Sequence, residues 1–110
     1  MQIEISGQHM QLTDPLREYV QLKLKRLERH FDHITHIHIV LSPEKLLHKS
    51  EATVGLAGTT LFADALQDDM YAAIDSMVDK VDGQLRKHKE KITDHHRVGG
   101  ALKDQPVEEP

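Results

Sequence analysis

Apolar residues along this chain follow two periods, and the switches between them mark out six elements. Residues 2–6, "QIEIS", alternate and place Ile3 and Ile5 on one face, which predicts a short strand. The period then lengthens. Leu16, Val20, Leu24, Leu27 and Phe31 recur at steps of four, four, three and four, the spacing of one helix face. Thr13 or Asp14 can cap that helix, and Pro15 fits its first turn, where a missing N–H has no intrahelical partner. Alternation returns in "THIHIVLS", with Ile37, Ile39 and Leu41 on one side, and Pro43 is expected to end that strand or to lie at its edge. "EATVGLA" aligns Ala52, Val54 and Leu56. Gly58 suits a hairpin turn, and "TLFADA" aligns Leu61, Ala63 and Ala65. A second helix is predicted to start at an Asp68 or Asp69 cap and to bury Met70, Ile74, Met77, Val78, Val81, Leu85 and Ile92.

The order β-α-β-β-β-α implies a two-layer α+β domain. Strands separated by a helix pair in parallel through a right-handed crossover, and the last three strands form a meander. Both helices then cover one face of a four-stranded mixed sheet. We assign residues 1–95 to this domain and residues 96–110 to a disordered acidic tail, because the segment "RVGGALKDQPVEEP" has two Gly, two Pro and no apolar period.

The length of 110 residues fits one domain. The chain has no cysteine, which excludes disulfides and thiolate metal sites. "MQIEISGQHM" lacks the basic and apolar regions of a signal peptide, and no apolar run approaches a membrane span, so a cytoplasmic protein is expected. Charge changes the picture more. The formal net charge is −4, but it is segregated. Residues 64–82 hold six Asp against Lys80, a balance of −5; the stretch from Val98 on holds three acids against Lys103, a balance of −2; the remainder is therefore +3. Lys23, Lys25, Arg26 and Arg29 cluster in the first helix. "QLRKHKEKITDHHR", residues 84–97, carries Arg86, Lys87, Lys89, Lys91 and Arg97 against two acids. A helix dipole favours cations at a C-terminus, but one or two suffice for that effect. Lys23, Arg26 and Arg29 advance along one flank of the first apolar stripe, and Lys80, Lys87 and Lys91 along the same relative flank of the second. Two such stripes could hold a phosphate backbone, so an anionic partner is expected.

Catalysis is not expected. The chain has no G-x-S-x-G, no Cys nucleophile and no phosphate-binding G-x-x-x-x-G-K-[ST] loop. Asp68 and Asp69 read as helix caps. Nine histidines include the pairs His30/His33, His36/His38 and His95/His96, which could take up a divalent cation adventitiously, yet no third and fourth ligand follow in a metal-site pattern. No cofactor is expected.

"LTDPLREYVQLKLKRLERHFD" and "DMYAAID", followed by "DK" and "QLRKHKEK", resemble the two helices of bacterial ribosome hibernation promoting factors, the family of ribosome-associated inhibitor A or protein Y. The resemblance covers residues 1–95 and implies a βαβββα fold similar to a double-stranded RNA-binding domain. It also implies binding to 16S rRNA in the decoding region of the small subunit of the 70S ribosome, where mRNA and the A- and P-site tRNAs would lie. Translation would then stop in stationary phase or stress. Carried over, the family's RNA contacts fall on Lys23, Arg26, Arg29, Lys80 and Lys87, with Arg86, Lys89 and Lys91 in the same basic run. The family commonly has Arg where this chain has Gly83. The core resembles short forms that promote ribosome dimers together with a modulation factor. The tail, which runs beyond the usual short form, resembles that of ribosome-associated inhibitor A, which opposes dimers. A monomer off the ribosome is expected. The alternative from another class is a protein–protein module that docks an acidic partner.

Overall fold

The computed structural model describes residues 2–97, with side chains described to Lys89. Its elements are β1 (Gln2–Gly7), α1 (Asp14–His30), β2 (Ile34–Glu44), β3 (Leu47–Leu56), β4 (Thr59–Gln67) and α2 (Met70–Arg97). The sheet order is β1-β2-β3-β4, with β1 parallel to β2 and the other two pairings antiparallel. No described helix is long and apolar enough to cross a membrane.

Register explains which face is buried. Ile37 pairs with Val54, and Val54 with Leu61; Ile39 pairs with Ala52, and Ala52 with Ala63. Side chains alternate along a strand, so these rows all point toward the helices. Leu16, Val20, Leu24 and Leu27 of α1, and Ile74, Met77, Val81 and Leu85 of α2, close over them as one buried cluster. Small Ala52, Ala63 and Ala65 sit on the β3–β4 side, against which α2 packs. Ser50 is also fully buried, and its hydroxyl donates to Met77 Sδ at 2.9 Å.

The expected caps are present. Thr13 Oγ1 accepts from the Leu16 N–H at 3.4 Å, and Pro15 sits in the first turn. Asp69 rather than Asp68 caps α2, accepting from the Ala72 N–H at 3.1 Å. Gly58 turns the β3–β4 hairpin at φ 83°, a backbone region that disfavours a Cβ.

Pro43 does not end β2. The strand continues to Glu44, which pairs with Leu47 across a two-residue turn of Lys45 and Leu46. Lys45 takes the positive φ of 59° that glycine usually supplies, so the turn carried no sequence signal. Because β1 ends opposite Leu41, no neighbour on that side asks Pro43 for a donor. The predicted tail begins later than residue 96, because His96 and Arg97 still belong to α2; residues 98–110 and the side chain of Ile92 lie outside those described.

Candidate functional site

Two residues of the α1 stripe, Lys23 and Arg26, face α2, whereas Arg29 is exposed and is not among the residues of the groove between the helices. Lys23, Arg26 and His30 form one wall of an interhelical groove of about 390 Å³, and Asp75, Asp79, Asp82 and Arg86 form the other. One network ties the walls together. Tyr19 donates to Asp75 Oδ1 at 2.7 Å, Lys23 Nζ lies 3.2 Å from the same oxygen, and Lys23 also stands 5.3 Å from the Tyr19 ring centroid. Tyr71 meets the Tyr19 ring edge-on at 4.9 Å between centroids.

Titration in this network is shifted for identifiable reasons. The hydrogen bond to Asp75, with some loss of hydration, pushes the Tyr19 hydroxyl above its usual value. Burial pushes the Asp75 carboxyl up, but hydrogen bonds from Tyr19 and Lys23 and the Lys23 charge together outweigh it and hold Asp75 below the usual carboxylate range. The depressed Asp75 stabilises the fold above its unfolded value of about 4, and this is lost as pH falls through the lower folded value. The raised Tyr19 stabilises it below about pH 10, and this is lost as pH rises further. Urea midpoints measured across pH should therefore fall at both ends. Tyr19→Phe should flatten the alkaline fall and reduce, without abolishing, the acid one, since Lys23 still holds Asp75.

The α2 cations divide between two flanks. Arg86 faces the groove and pairs with Asp82 at 2.9 Å. Lys80 points the other way, over the sheet edge, where its Nζ donates to the Asp64 carbonyl at 2.7 Å; Gln84 does the same to the Phe62 carbonyl at 2.9 Å. Lys87 lies two turns beyond Lys80 on that flank and is exposed. The two basic stripes thus do not face one another: Lys23 and Arg26 look onto the acidic flank of α2, and Lys80 and Lys87 lie on its far side. Lys89 Nζ stands 5.8 Å from the Phe31 ring centroid, near the end of α1. The Lys91 side chain is outside those described.

Internal pairing sorts the candidates. Lys23 and Arg86 spend their charge on Asp75 and Asp82. Among the described residues Arg26, Arg29 and Lys87 have no ion pair, and Lys80 bonds a neutral carbonyl, which leaves its charge uncancelled. The acidic flank and the Tyr19–Asp75 bond were not anticipated from sequence. The six Asp of residues 64–82 were visible there, but not the direction each faces.

Gly83 is exposed on α2, and a Cβ there would meet nothing within 4 Å. Gly83→Arg should stabilise the domain by roughly 0.5–1 kcal/mol, because glycine is a poor helix former. Gly83→Ala should give the same gain in a urea melt. A steeper salt dependence of RNA binding in the arginine variant alone would place this position against a phosphate.

His36 and His38 both lie on the sheet face away from the helices. His38 Nε2 is 3.2 Å from Ser6 Oγ, and the His36 ring lies so close over Gly55 that a Cβ would overlap it. His30 and His33 border a small cleft with Phe31, His88 and Lys89. Among the described residues no three His, Asp or Glu side chains converge as a metal set; the side chains of His95 and His96 are outside them.

Residues 3–93 match the family described as sigma 54 modulation protein / S30EA ribosomal protein. The chain belongs to this family. A ribosome hibernation promoting factor of Pseudomonas putida is 54% identical over 91 residues, covering 83% of this chain and 89% of that protein. One from Azotobacter vinelandii is 49% identical over 107 residues, covering 97% and 99%. The solved structure of a ribosomal subunit interface protein from Coxiella burnetii superposes with a TM-score of 0.78 at 38% identity, covering 82% of this chain and 99% of that one. The βαβββα order and mixed sheet are thus those of a known family structure.

Proposed function

We propose that this chain is a ribosome hibernation factor that binds 16S rRNA in the decoding region of the small subunit. Bound there, it blocks mRNA and the A- and P-site tRNAs and inhibits translation in the cytoplasm during stationary phase or stress. The observation that carries the reading is the set of helical-layer cations without an ion pair among the described residues, Arg26, Arg29, Lys80 and Lys87, in a member of this family. Occlusion by a rigid domain requires no bond to be made or broken. Phosphate contacts supply affinity, and the shape of folded RNA supplies selectivity. The Azotobacter vinelandii relative is matched along nearly the whole chain, tail included, and is named a hibernation promoting factor. This supports grouping the tailed chain with factors that promote inactive ribosome dimers, acting with a modulation factor, over those that oppose them.

Co-sedimentation with purified small subunits across a salt series tests the reading. Affinity should fall steeply with salt, and Lys87→Glu should lower it and flatten the slope by about one unit. Salt-independent binding, or association that survives complete ribonuclease digestion of the subunit, would favour a protein partner instead.

A further inference from the structure

The helices cover one face of the sheet and leave the other open. Along the open face run Glu4 on β1, Glu44 on β2, Lys49 and Glu51 on β3, and Asp64 on β4. Four acids against one lysine give it a net charge of −3 with histidines neutral. That lysine is held between Glu44 at 3.7 Å and Glu51 at 3.4 Å, and these carboxylates, Glu51 first, keep its ammonium protonated beyond its usual range. The helical layer is opposite in sign. Helix α1 carries five Lys or Arg and three Asp or Glu, and residues 70–89 of α2 carry four and three, for a net +3. Among the described residues the open sheet face and the helices therefore carry opposite net charge.

The acidic face also holds uncovered apolar side chains. Phe62 is 55% exposed, Leu66 45% and Leu47 36%. Phe62 and Leu66 are four residues apart on β4, with Asp64 between them, and Leu47 follows at the hairpin end of β3. A solvated sheet face usually carries polar residues at such positions. Exposed apolar side chains set among charged ones are what a contact surface carries, with aromatic residues enriched at its core.

We propose that this open face is a docking surface for a basic protein segment bearing apolar side chains. Charge decides the class of occupant. An RNA phosphate chain would meet net repulsion here, and so would a second copy of this face, whereas lysine or arginine would meet Glu51 and Asp64 while leucine or aromatic groups cover Phe62 and Leu66. The partner lies on the face rather than adding a strand at the edge, because Lys80 and Gln84 already occupy the Asp64 and Phe62 carbonyls along β4. On the ribosome, where the helical layer takes the RNA, the occupant is a basic segment of a protein. That location rests on the functional reading above; the docking chemistry does not.

Two arms separate them. In the first, a synthetic peptide of alternating lysine and leucine is titrated into nitrogen-15-labelled protein. Saturable shifts are expected at β3 and β4 amides, none with an alternating glutamate–leucine peptide, and affinity should fall at least tenfold in Phe62→Ser with Leu66→Ser. These positions are exposed, so the variant should keep its urea midpoint. Equal binding of both peptides, shifts confined to the helices, or no saturation overturns the docking face. In the second arm, Phe62→p-azidophenylalanine is photolysed in sedimented ribosome complexes beside Leu22→p-azidophenylalanine, a position 56% exposed on α1. The Phe62 adduct should be a basic protein segment that resists ribonuclease, and the Leu22 adduct should be RNA. An RNA, acidic-segment or self adduct at Phe62, or none in a complex that does sediment, overturns the proposal on the ribosome. A chain that fails to sediment but binds the basic peptide overturns the ribosomal reading and leaves the docking face standing.

Discussion

Arg26→Glu combined with Lys87→Glu is expected to lower affinity for the small ribosomal subunit about a hundredfold at moderate salt, with the salt slope falling by about two units. The magnitude follows from the contacts removed. A hydrogen bond to a charged group contributes roughly 1.5–3 kcal/mol, and exposure to salt favours the lower end. Two such losses come to about 3 kcal/mol, or a hundredfold. These two residues are preferred to Lys23 because Lys23 is engaged by Asp75 and Tyr19, and a glutamate there would sit against Asp75 and loosen the helix pair. Arg26 and Lys87 lie on opposite sides of α2, so their effects should add within a few tenths of a kcal/mol if RNA reaches both. Filter binding or co-sedimentation of the two single variants and the double resolves this. A double variant no weaker than Lys87→Glu alone would remove the interhelical groove from the RNA interface. Lys87→Glu should melt close to the parent, since Lys87 has no ion pair among the described residues, whereas Arg26→Glu and the double should melt somewhat lower, because a glutamate at 26 faces Asp75, Asp79 and Asp82 across the groove.

Leu24→Ala should destabilise the domain by about 2–5 kcal/mol, the range for a buried leucine truncated to alanine. Leu24 is 1% exposed and stands within the cluster where α1 closes over the sheet. Its loss removes apolar contacts and leaves a cavity that rigid strands below cannot collapse to fill. For a domain of this size the melting temperature should fall by more than about 10 °C. Leu22→Ala, two residues away and 56% exposed, should change stability by no more than about 0.5 kcal/mol. Urea titrations of the pair give the comparison directly. Equal small effects in both would mean that α1 does not pack on the sheet as described.

The two predictions draw on information that reached the sequence to different degrees. Leu24 belongs to a stripe whose spacing alone announced a helix and its buried face, and every described member of both predicted stripes is buried. The strand rows were equally plain, because alternation with a period of two leaves only one way to hide Ile37, Ile39 and Leu41. The Lys45–Leu46 turn was not plain. Its residues are ordinary, and its positive φ is imposed by the pairing of Glu44 with Leu47 rather than by a glycine. The residues of the candidate site were also named from spacing and family resemblance, but not their arrangement.

Periodicity is local. Each residue in a helix or strand has a direction relative to its own element, set by about 100° per residue or by strict alternation. From the amino-acid order alone this determined the six elements, their buried sides, the pair of candidate caps at each helix start, and the concentration of cations on the helices; the structure chose Thr13 and Asp69. What it could not determine was which flank of one helix looks at which neighbour, since that depends on how both helices settle on a twisted sheet. Only the tertiary structure decided that Lys23 and Arg26 confront Asp75, Asp79 and Asp82, that Lys80 reaches over β4 to the Asp64 carbonyl, and that Glu4, Glu51 and Asp64 gather on one open face. Charges distant in the chain attract or repel through space, and their pairing was therefore fixed by the packing of the core rather than by their order.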